Sequence, residues 1–390
     1  MAFDLAAVQQ ALAGERLDGW LLYDFHGSNP IAQSVTGLTG RHTTRRWYYF
    51  VPATGRPRKL VHAIESAVLA HLPGDTAVYA GREALAEHLP ALVAGATRVA
   101  MEYSPGCAIP YISRVDAGTI EWLRGLGLTI VSSGDLVGRF EAAWGPREIA
   151  SHRAASERLY RVKDRAFAFI GRRLGSGASL GEWDVQTAMM EWFAEEGLVT
   201  DAPPIVAVNG HAGDPHYAPT RDTAAVVGRN DLVLLDLWGK LNEPGAVYAD
   251  ITWTGVTGRA ADEVTTVFSV VAAARDAALE AVQRAVSAGR AIRGWEVDRA
   301  ARQVIHEAGY GSRFVHRTGH SLGTDVHGNG VHMDDYETHD DRRLLPGTGF
   351  TIEPGIYLQH FGIRSEINVV VGETRAEVTG PVQQTLVQIA

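Results

Sequence analysis

Apolar and polar positions follow two different rhythms over residues 1–140 of the chain. Residues 4–16, 82–94 and 113–125 carry apolar side chains at helical spacing and are predicted helices. The runs between them are predicted strands: GWLLY, RRWYYFVP, RKLVHAI, TAVYA, RVAMEY and LTIVSS. This alternation predicts an α/β domain with a largely parallel or mixed sheet.

A different pattern begins at the segment WGP, where Pro146 suits the first turn of a helix. Helical spacing extends from there to about residue 174 and returns at 181–197, 260–288 and 295–309. The remaining apolar runs are predicted strands: PPIVAV, AAVV, DLVLLDLWG, GAVYADITWTGVTG, FVHRT, TDVHG, GFTIEPGIYL and IRSEINVVVGE. Helices that interleave with long hairpin strands predict an α+β domain over residues 141–390.

Composition and charge narrow the class of protein. The chain has 390 residues, 46% hydrophobic and 21% charged, which is ordinary for a globular protein with two sizeable cores. A formal net charge of -9 argues against a duplex nucleic acid or an anionic membrane as partner. The N-terminal stretch, with Asp4, Glu15 and Arg16, lacks the pattern of a signal peptide, and no apolar run is long enough to span a membrane. We therefore expect a cytoplasmic protein with neither a nucleic-acid nor a membrane partner.

Cysteine usage agrees with that location. The single cysteine, Cys107, excludes a disulfide within the chain and is compatible with a reducing compartment. We expect it to be a small buried side chain.

Two acidic residues stand in apolar surroundings on one predicted hairpin. Asp236 follows two leucines in DLVLLDLWG, and Asp250 lies on the return strand beyond an Asn-Glu-Pro-Gly turn. Burial of an ionised carboxylate is costly unless it is paired or bound to a metal. Either aspartate alone could accept backbone N–H bonds at a strand end, but a metal explains the pair better.

Histidines cluster further along the chain, with five of the 15 in residues 316–339. His320 lies between two nearby glycines, which indicates a tight backbone near a crowded site and an imidazole that serves as a neutral metal ligand. His327 follows in the same segment. We expect His332 and His339 to be ordinary side chains, either on the surface or hydrogen-bonded in the core.

Two further acidic residues fall in predicted strands. Glu353 lies in the apolar segment FTIEPGIY, where a glutamate needs a partner. Arg364 and Glu366 are two positions apart in GIRSEINVVV and project from the same face of a strand. Taken alone, they could be an ordinary Arg–Glu neighbour pair.

The candidate residues form a hard, oxygen-rich ligand set: Asp236, Asp250, His320, Glu353 and Glu366. Four carboxylates are too many for one catalytic ion, whereas two divalent ions that share carboxylates would balance the charges and activate water. We expect Mn²⁺, with Co²⁺ or Zn²⁺ as alternatives.

The segments that carry these residues are VLLDLWG, VYADITWTG, HRTGHSLG, FTIEPGIY and GIRSEINVVV. In this order they resemble the motifs of the pita-bread metallopeptidases, the family of methionine aminopeptidase, aminopeptidase P and prolidase. The resemblance implies Asp236 as the terminal ligand of one metal and Asp250 with Glu366 as bridging ligands. His320 and Glu353 are then implied as ligands of the second metal.

The resemblance also implies the fold. It covers residues 146–372 and implies a pita-bread α+β catalytic domain over residues 141–390. Residues 1–140 resemble the creatinase-type N-terminal α/β domain of the family in length, position and alternation of elements.

Residues that meet the substrate are implied as well. PPIVAVNGHAGDPHY resembles a strand and loop whose final histidine binds substrate, which is His216 in this chain. His327 falls where a second such histidine is expected. His316, Tyr357 and Arg364 fall where supporting, substrate-side residues are expected.

Three features depart from the family pattern. Asp236 and Asp250 lie 14 positions apart, more than is common, so the turn between them carries an insertion. Trp253 and Gly328 replace an arginine and a glutamate that are often found there. We expect the two replacements to change the wall of the substrate site.

The reaction implied is hydrolysis of the peptide bond before proline, most simply in Xaa-Pro dipeptides. Glu353 would transfer a proton, and His216 and His327 would stabilise the oxyanion or donate to the leaving nitrogen. Short proline-containing peptides are the expected partners, and the resemblance implies a homodimer. The main alternative is aminopeptidase P activity on longer Xaa-Pro peptides. Methionine aminopeptidase, a creatinase-like hydrolase without metal and a non-catalytic binding module are more remote alternatives.

The choice between dipeptides and longer peptides depends on what closes the site. TGLTGRHTTRRWYY carries Arg41, His42, Arg45 and Arg46 between glycines and aromatic residues and is predicted to be a mobile basic loop. Arg46 could hold the free carboxylate of a dipeptide by bidentate hydrogen bonds. The alternative is a solvated loop with scattered charges.

Overall fold

In the computed structural model, which describes residues 3–389, the chain divides into two compact units, Met1–Glu141 and Ala142–Ala390. The division falls one residue beyond the boundary expected from the sequence. Each unit has hydrophobic clusters of its own. No helix within residues 3–389 combines the length and apolarity that crossing a membrane requires.

The first unit is a mixed sheet with helices on both faces. Its helices are α1 (Leu5–Gly14), α2 (Pro30–Thr36), α3 (Arg82–Leu92), α4 (Ala117–Gly125) and α5 (Gly134–Phe140). Its strands are β1 (Gly19–Asp24), β2 (Trp47–Pro52), β3 (Arg58–His62), β4 (Asp75–Tyr79), β5 (Arg98–Met101) and β6 (Thr129–Ser132). The strand order is β4-β3-β2-β1-β5-β6, and β1 runs antiparallel to β2 but parallel to β5.

Successive residues of β1 pack on opposite faces of this sheet. Trp20 and Leu22 join a cluster with residues of α1, α2 and α5. Leu21 and Tyr23 join a cluster with residues of α3 and α4. Because both faces are covered, the strand is apolar at nearly every position, as its sequence shows.

The second unit contains four longer helices and several small sheets. Its helices are α6 (Pro146–Gly175), α7 (Glu182–Glu195), α8 (Asp262–Ser287) and α9 (Gly294–Glu307). Its first strands are β7 (Leu198–Val199), β8 (Ile205–Val208), β9 (Leu232–Leu241) and β10 (Ala249–Val256). The later strands are β11 (Gly349–Ile352), β12 (Gly355–Tyr357), β13 (Gly362–Arg364), β14 (Ile367–Val371), β15 (Ala376–Val378) and β16 (Val387–Gln388).

The hairpin of β9 and β10 lies at the centre of this unit. One sheet has the order β16-β10-β9-β7 with β8 also paired to β9, another has the order β11-β14-β15, and β12 pairs with β13. One face of the hairpin, with Leu235, Leu237 and Ile251, packs against α6 and α7. A second cluster joins α8 and α9 to β11 and β14.

Several predicted elements differ from the structure. AAVV, FVHRT and TDVHG are predicted strands but are not strands in the described chain, and GFTIEPGIYL divides into β11 and β12 around Glu353 and Pro354. Proline has no N–H to donate to a sheet, which accounts for the break. Helices α2 and α5 were not predicted. The predicted start of α6 is confirmed, with Pro146 in the first turn and Glu148 accepting the Gly145 N–H at 3.1 Å.

The expectation of a buried cysteine is wrong. Cys107 is a free thiol on the surface, in a short 3-10 turn (Pro105–Cys107). Its φ is 54°, a left-handed conformation that belongs to turns. The segment around it, YSPGCAIPY, is rich in turn-forming proline and glycine, and the turn leaves the cysteine side chain exposed.

Candidate metal centre

The central hairpin places two carboxylates on one face. Asp236 of β9 lies opposite Thr252 of β10, and Asp250 lies opposite Trp238. Because strand side chains alternate, Asp236, Asp250 and Thr252 point away from the leucines that pack on α6 and α7. The insertion in the turn beyond β9 leaves this pairing intact.

Residues around β13 and β14 bring a third carboxylate to Asp250. Thr252 Oγ1 donates to Glu366 Oε2 at 2.8 Å, and Glu366 N donates to Thr252 O at 3.3 Å. Asn368 Oδ1 accepts the Asp250 N–H at 3.0 Å, and its amide nitrogen donates to Asp250 O. These bonds hold the β14 segment against β10.

His320 and Glu353 complete the cluster through Thr351. The Thr351 hydroxyl accepts the His320 N–H at 2.9 Å and donates to Glu353 Oε1 at 3.1 Å. His320 Nε2 then lies 3.3 Å from Glu353 Oε1 and 3.5 Å from Asp250 Oδ2. The imidazole is therefore enclosed by carboxylates.

The two glycines that flank His320 differ in their surroundings. A Cβ at Gly319 would lie 2.0 Å from Thr351 O, so only glycine allows this approach of the two segments. A Cβ at Gly323 would meet nothing closer than 3.8 Å. The expected tight backbone is thus found at Gly319 and not at Gly323.

The polar atoms of this cluster fit a divalent cation. Ligand atoms of Asp250, His320 and Glu366 all lie within 4.8 Å of one another, and the three side chains are buried. Asp250 Oδ1 and Glu366 Oε1 have no hydrogen-bond partner among residues 3–389. A buried carboxylate oxygen without a donor requires a cation or a proton.

The ionisation of these groups agrees with that fit. Burial raises the pKa of Asp250 well above its ordinary value, and the Asp236 charge adds to the effect. Burial and the Asp250 charge do the same for the pKa of Glu366. Burial lowers the pKa of His320, which favours the neutral imidazole that metals bind.

Asp236 is joined to a chain of supporting side chains. Its carboxylate pairs with the Arg364 guanidinium, whose Nε also donates to Thr252 Oγ1 at 3.1 Å. Arg364 Nη1 donates to Tyr357 OH at 2.9 Å, and His316 Nε2 lies 2.7 Å from the same hydroxyl. The structure thus connects His316, Tyr357 and Arg364 to Asp236.

Two predicted substrate histidines lie at the exposed edge of the cluster. The His327 ring meets the His320 ring edge to face, with centroids 4.3 Å apart. The nearby His320, burial, and the charges of Arg317 and His216 lower the pKa of His327 to about 3. His216 is exposed, and its N–H donates to Asp214 Oδ1 at 3.0 Å.

Trp253 and Gly328, the two replacements within the motifs, lie in different surroundings. Trp253 points to the opposite face of β10, where Lys163 Nζ lies 3.7 Å from its ring centroid and Tyr160 packs beside it. The expectation that Trp253 changes the substrate wall is wrong, because strand alternation turns it away from Asp250 and Thr252. A Cβ at Gly328 would lie 3.1 Å from Ser321 Oγ, so glycine permits close packing on the segment of His320.

Several supporting residues were not identified from the sequence. Thr252, Thr351 and Asn368 have no distinctive sequence pattern, because threonine and asparagine are common in strands and turns. His332 is fully buried and its Nδ1 accepts the Ser321 N–H at 3.2 Å, which confirms the expectation of an ordinary surface or hydrogen-bonded core side chain. Arg342, also buried, donates to Asn329 O and Gly330 O at 2.7 Å and so fixes the backbone after His327.

The predicted basic loop lies in the first unit. Glu65 accepts hydrogen bonds from Thr44 N at 2.8 Å and Arg45 N at 3.2 Å, so the loop is tied to a carboxylate rather than free. The Arg46 guanidinium lies 5.6 Å from the ring centroid of Phe25, which is 42% exposed. No carboxylate within residues 3–389 forms an ion pair with Arg46.

Comparison with known protein families identifies the class of this protein. Residues 150–373, more than half of the chain, match metallopeptidase family M24, and the chain belongs to this family. The family implies divalent metal ions, in agreement with the donor set described above.

Individual relatives carry narrower names. The chain is 33% identical over 254 residues to the probable dipeptidase PepE of Mycobacterium tuberculosis, a match covering 64% of this chain and 62% of that protein. It is 34% identical over 187 residues to the Xaa-Pro dipeptidase of Lactobacillus helveticus, covering 48% of this chain and 45% of that one. The matches span less than two thirds of either relative.

Solved structures extend the likeness to the whole chain. Dipeptidase PepE from Mycobacterium ulcerans gives a TM-score of 0.70 at 25% identity and covers 99% of this chain and 96% of that chain. A prolidase from Thermococcus sibiricus gives a TM-score of 0.63 at 22% identity and covers 100% and 99%. The expected family is confirmed, and so is the expected fold class, a pita-bread α+β domain preceded by an α/β domain.

Proposed function

We propose that this chain is a prolidase-like peptidase that hydrolyses the bond before proline in Xaa-Pro dipeptides with two divalent metal ions. The observation that carries the proposal is the buried cluster of Asp250, His320 and Glu366, whose ligand atoms lie within 4.8 Å of one another. Membership of family M24 supplies the class of reaction.

The ions would be held by the cluster and its two neighbours: Asp236, Asp250, His320, Glu353 and Glu366. When bound, such ions polarise a carbonyl and lower the pKa of water. Carboxylates and one imidazole fit Mn²⁺, with Co²⁺ or Zn²⁺ as alternatives. Mn²⁺ as the native ion, a homodimer and a cytoplasmic location stay predictions.

Glu353 is the residue to which we assign proton transfer. Burial raises the pKa of its carboxyl, although the nearby His320 and Arg364 oppose the shift. A carboxyl whose pKa is raised is a stronger base, and it can take a proton from water and return it to the leaving nitrogen. Thr351 and His320 hold it in position.

His216 and His327 are assigned to the substrate. A pKa of about 3 keeps His327 neutral at pH 7, so it can donate an N–H without adding charge. Such a donor can stabilise the oxyanion or the leaving nitrogen. His316, Tyr357 and Arg364 act in this proposal by fixing Asp236.

Proline is proposed because relatives named Xaa-Pro dipeptidase share the catalytic segment. The nitrogen of an Xaa-Pro bond has no N–H, so a site for it needs no acceptor for that group. We propose dipeptides as substrates because the relative PepE is named a probable dipeptidase.

Hydrolysis of Ala-Pro, Ala-Ala and Ala-Pro-Ala tests the proposal, each with Mn²⁺ and with chelator. We expect cleavage of Ala-Pro alone, loss of activity with chelator and recovery on adding Mn²⁺. Preference for Ala-Pro-Ala would instead indicate an aminopeptidase P. Activity that resists the chelator would indicate a metal-free hydrolase.

Glu353→Gln provides a test of the enzyme class. The amide cannot accept a proton, so kcat should fall at least about 100-fold. A biological activity that survives this change would favour a non-catalytic binding module. Glu157→Gln, on the exposed surface of α6, is the matched control and should behave as wild type.

Arg46 is proposed to select dipeptides by holding their free carboxylate. Its guanidinium is held over Phe25 and has no carboxylate partner within residues 3–389, so its donors are available. Arg46→Ala should raise KM for Ala-Pro far more than for Ala-Pro amide, while Arg41→Ala, in the same loop, should change neither. Equal effects of Arg46→Ala on both substrates would refute this role.

A further inference from the structure

A fully buried carboxylate outside the candidate metal centre belongs to Glu182, the first residue of α7. Its Oε1 accepts hydrogen bonds from Val208 N at 2.7 Å and His211 Nδ1 at 3.0 Å. Its Oε2 accepts hydrogen bonds from Tyr217 OH at 2.6 Å and Ala225 N at 2.7 Å. Both oxygens are therefore satisfied, and four separate groups depend on one side chain.

These groups lie on both sides of His216. We call residues 209–217 the His216 loop: His211 and Tyr217 belong to it, Val208 precedes it and Ala225 follows it. The rings of His211 and Tyr217 stack with centroids 4.2 Å apart, directly beside the carboxylate. Glu182 thus binds two side chains of the loop, His211 and Tyr217, and the backbone on either side of it, at Val208 and Ala225.

The His216 loop also reaches the candidate metal centre. Pro215 O accepts a hydrogen bond from Arg364 Nη1 at 3.5 Å, and Arg364 pairs with Asp236. A displacement of the loop would therefore move His216 relative to Arg364 and Asp236.

We propose that Glu182 is a positioning residue for the peptidase reaction, which holds His216 in place at the metal centre through His211 and Tyr217. The inference rests on the proposed function, because it takes His216 as a residue that contacts substrate.

The burial of Glu182 supports a positioning role over a merely structural one. Transfer of an ionised carboxylate into an apolar core is costly, and well-packed apolar side chains often stabilise a protein as well or better. The hydrogen bonds, however, have a direction that apolar contacts lack, and they define where the two ring systems of the loop stand. Precise placement of the His216 loop therefore accounts for the burial of the Glu182 carboxylate.

Tyr217→Phe is the mildest test, because it removes one O–H donor and keeps the ring stack with His211. We expect kcat/KM for Ala-Pro to fall about tenfold, mostly in kcat, since a displaced His216 is felt in the transition state. In a His216→Ala background the same change should cost less than about twofold, because the residue it positions is absent. Glu182→Gln should give a larger loss with the same dependence on His216.

Hydrogen exchange of the His216 loop tests the placement without relying on activity. Tyr217→Phe should speed amide exchange in residues 209–217 and leave β9 and β10 unchanged. Tyr160→Phe is the matched control: its hydroxyl donates to Pro381 O at 2.8 Å, in the same unit but away from the loop. It should alter neither exchange in the loop nor hydrolysis.

The outcomes separate the two proposals. Equal losses of kcat/KM in both backgrounds, or unchanged exchange in the loop, would overturn the role of Glu182 while leaving the peptidase proposal intact. A wild-type protein that cleaves no Xaa-Pro peptide would refute the proposed function and with it any role in catalysis. Exchange would then still decide whether Glu182 and Tyr217 hold the loop.

Discussion

At the scale of single residues, Asp250 Oδ1 and Glu366 Oε1 define the chemistry of the site. Glu366 Oε2 accepts a hydrogen bond from Thr252, and the backbone N–H and C=O of Asp250 bond to Asn368, whereas Asp250 Oδ1 and Glu366 Oε1 accept no hydrogen bond from residues 3–389. No hydrogen-bond donor of residues 3–389 therefore reaches the two oxygens. A divalent cation is the partner that fits this arrangement, because it binds several anionic oxygens at once.

Glu366→Gln should abolish most of the thermal stabilisation that Mn²⁺ confers. A site saturated at 100 times its Kd stabilises the native state by about 2.7 kcal/mol, which raises the melting temperature by roughly 5–10 °C for a unit of this size. The amide keeps the shape of the side chain but lacks its charge, so its response should be below about a third of that. Melting curves with Mn²⁺ after chelator treatment measure the difference; Glu157→Gln should respond as wild type, and an equal response of Glu366→Gln would contradict the ligand role.

The glycines beside His320 give a second prediction at this scale. Gly319→Ala places a Cβ 2.0 Å from the Thr351 carbonyl oxygen, which the backbone must move to avoid. We expect a loss of stability of about 3 kcal/mol or more, together with loss of metal binding, since Thr351 also positions His320 and Glu353. Gly323→Ala, with 3.8 Å of clearance, is the matched control and should change stability by less than about 1 kcal/mol in urea unfolding.

At the scale of elements, local sequence patterns could predict most helices and strands, but they could not predict which segments pair with one another through hydrogen bonds. Pro146 predicted the start of α6, and two apolar runs joined by an Asn-Glu-Pro-Gly turn predicted the β9–β10 hairpin. FVHRT reads as a strand, yet Thr318 N donates to Met333 O and to Asp298 rather than to a neighbouring strand. Helix α2 carries local signals that are sufficient to predict it: Asn29 as its cap, Pro30 in its first turn and Gly37 at its end.

In the candidate site, too, some residues could be predicted from local sequence and others depend on contacts that only the fold creates. The proposed ligands could be found from sequence because ionisable residues in apolar strands are rare and need a partner. The role of Glu182 could not, since it depends on four hydrogen bonds from segments that the fold brings together. The face of Trp253 could have been predicted, because alternation from Asp250 already turns it towards α6.

His152 gives α6 a pH-dependent attachment to the hairpin. The ring is fully buried, with Nδ1 at 2.7 Å from Tyr248 O and Nε2 at 2.7 Å from Thr379 Oγ1. Burial lowers its pKa from 6.5 to about 4, so the folded protein holds it neutral. Its contribution to stability is complete above pH 6.5 and is lost as the pH falls towards 4, because the unfolded chain then binds a proton that the folded chain does not.

We expect wild type to lose about 2 kcal/mol more stability than His152→Gln between pH 7.5 and pH 5. Urea unfolding at both values, with chelator present, isolates this difference from metal binding. His306→Gln, at an exposed position of α9, should keep the wild-type dependence. Parallel losses in wild type and His152→Gln would show that the buried ring is not the source.

At the scale of the whole molecule, the chain is two units with separate cores. Both sizes, Met1–Glu141 and Ala142–Ala390, are within the usual range for domains. The sequence indicated the division through the WGP segment and the change of pattern after it. All proposed metal ligands lie in the second unit, whereas Arg46 lies in the first.

This separation predicts where a bound cation acts. Ligand binding stabilises the cooperative unit that contains the site, so Mn²⁺ at 100 times its Kd should slow exchange of the most protected amides of β9 and β10 about 100-fold. Amides of β1 and β2, which belong to other hydrophobic clusters, should exchange at an unchanged rate. Exchange followed by mass spectrometry measures both regions in one sample, and Glu366→Gln should reduce the slowing in β9 and β10 to less than about fivefold. Equal slowing in all four strands would mean that the two units unfold together, contrary to the independence that their separate cores predict.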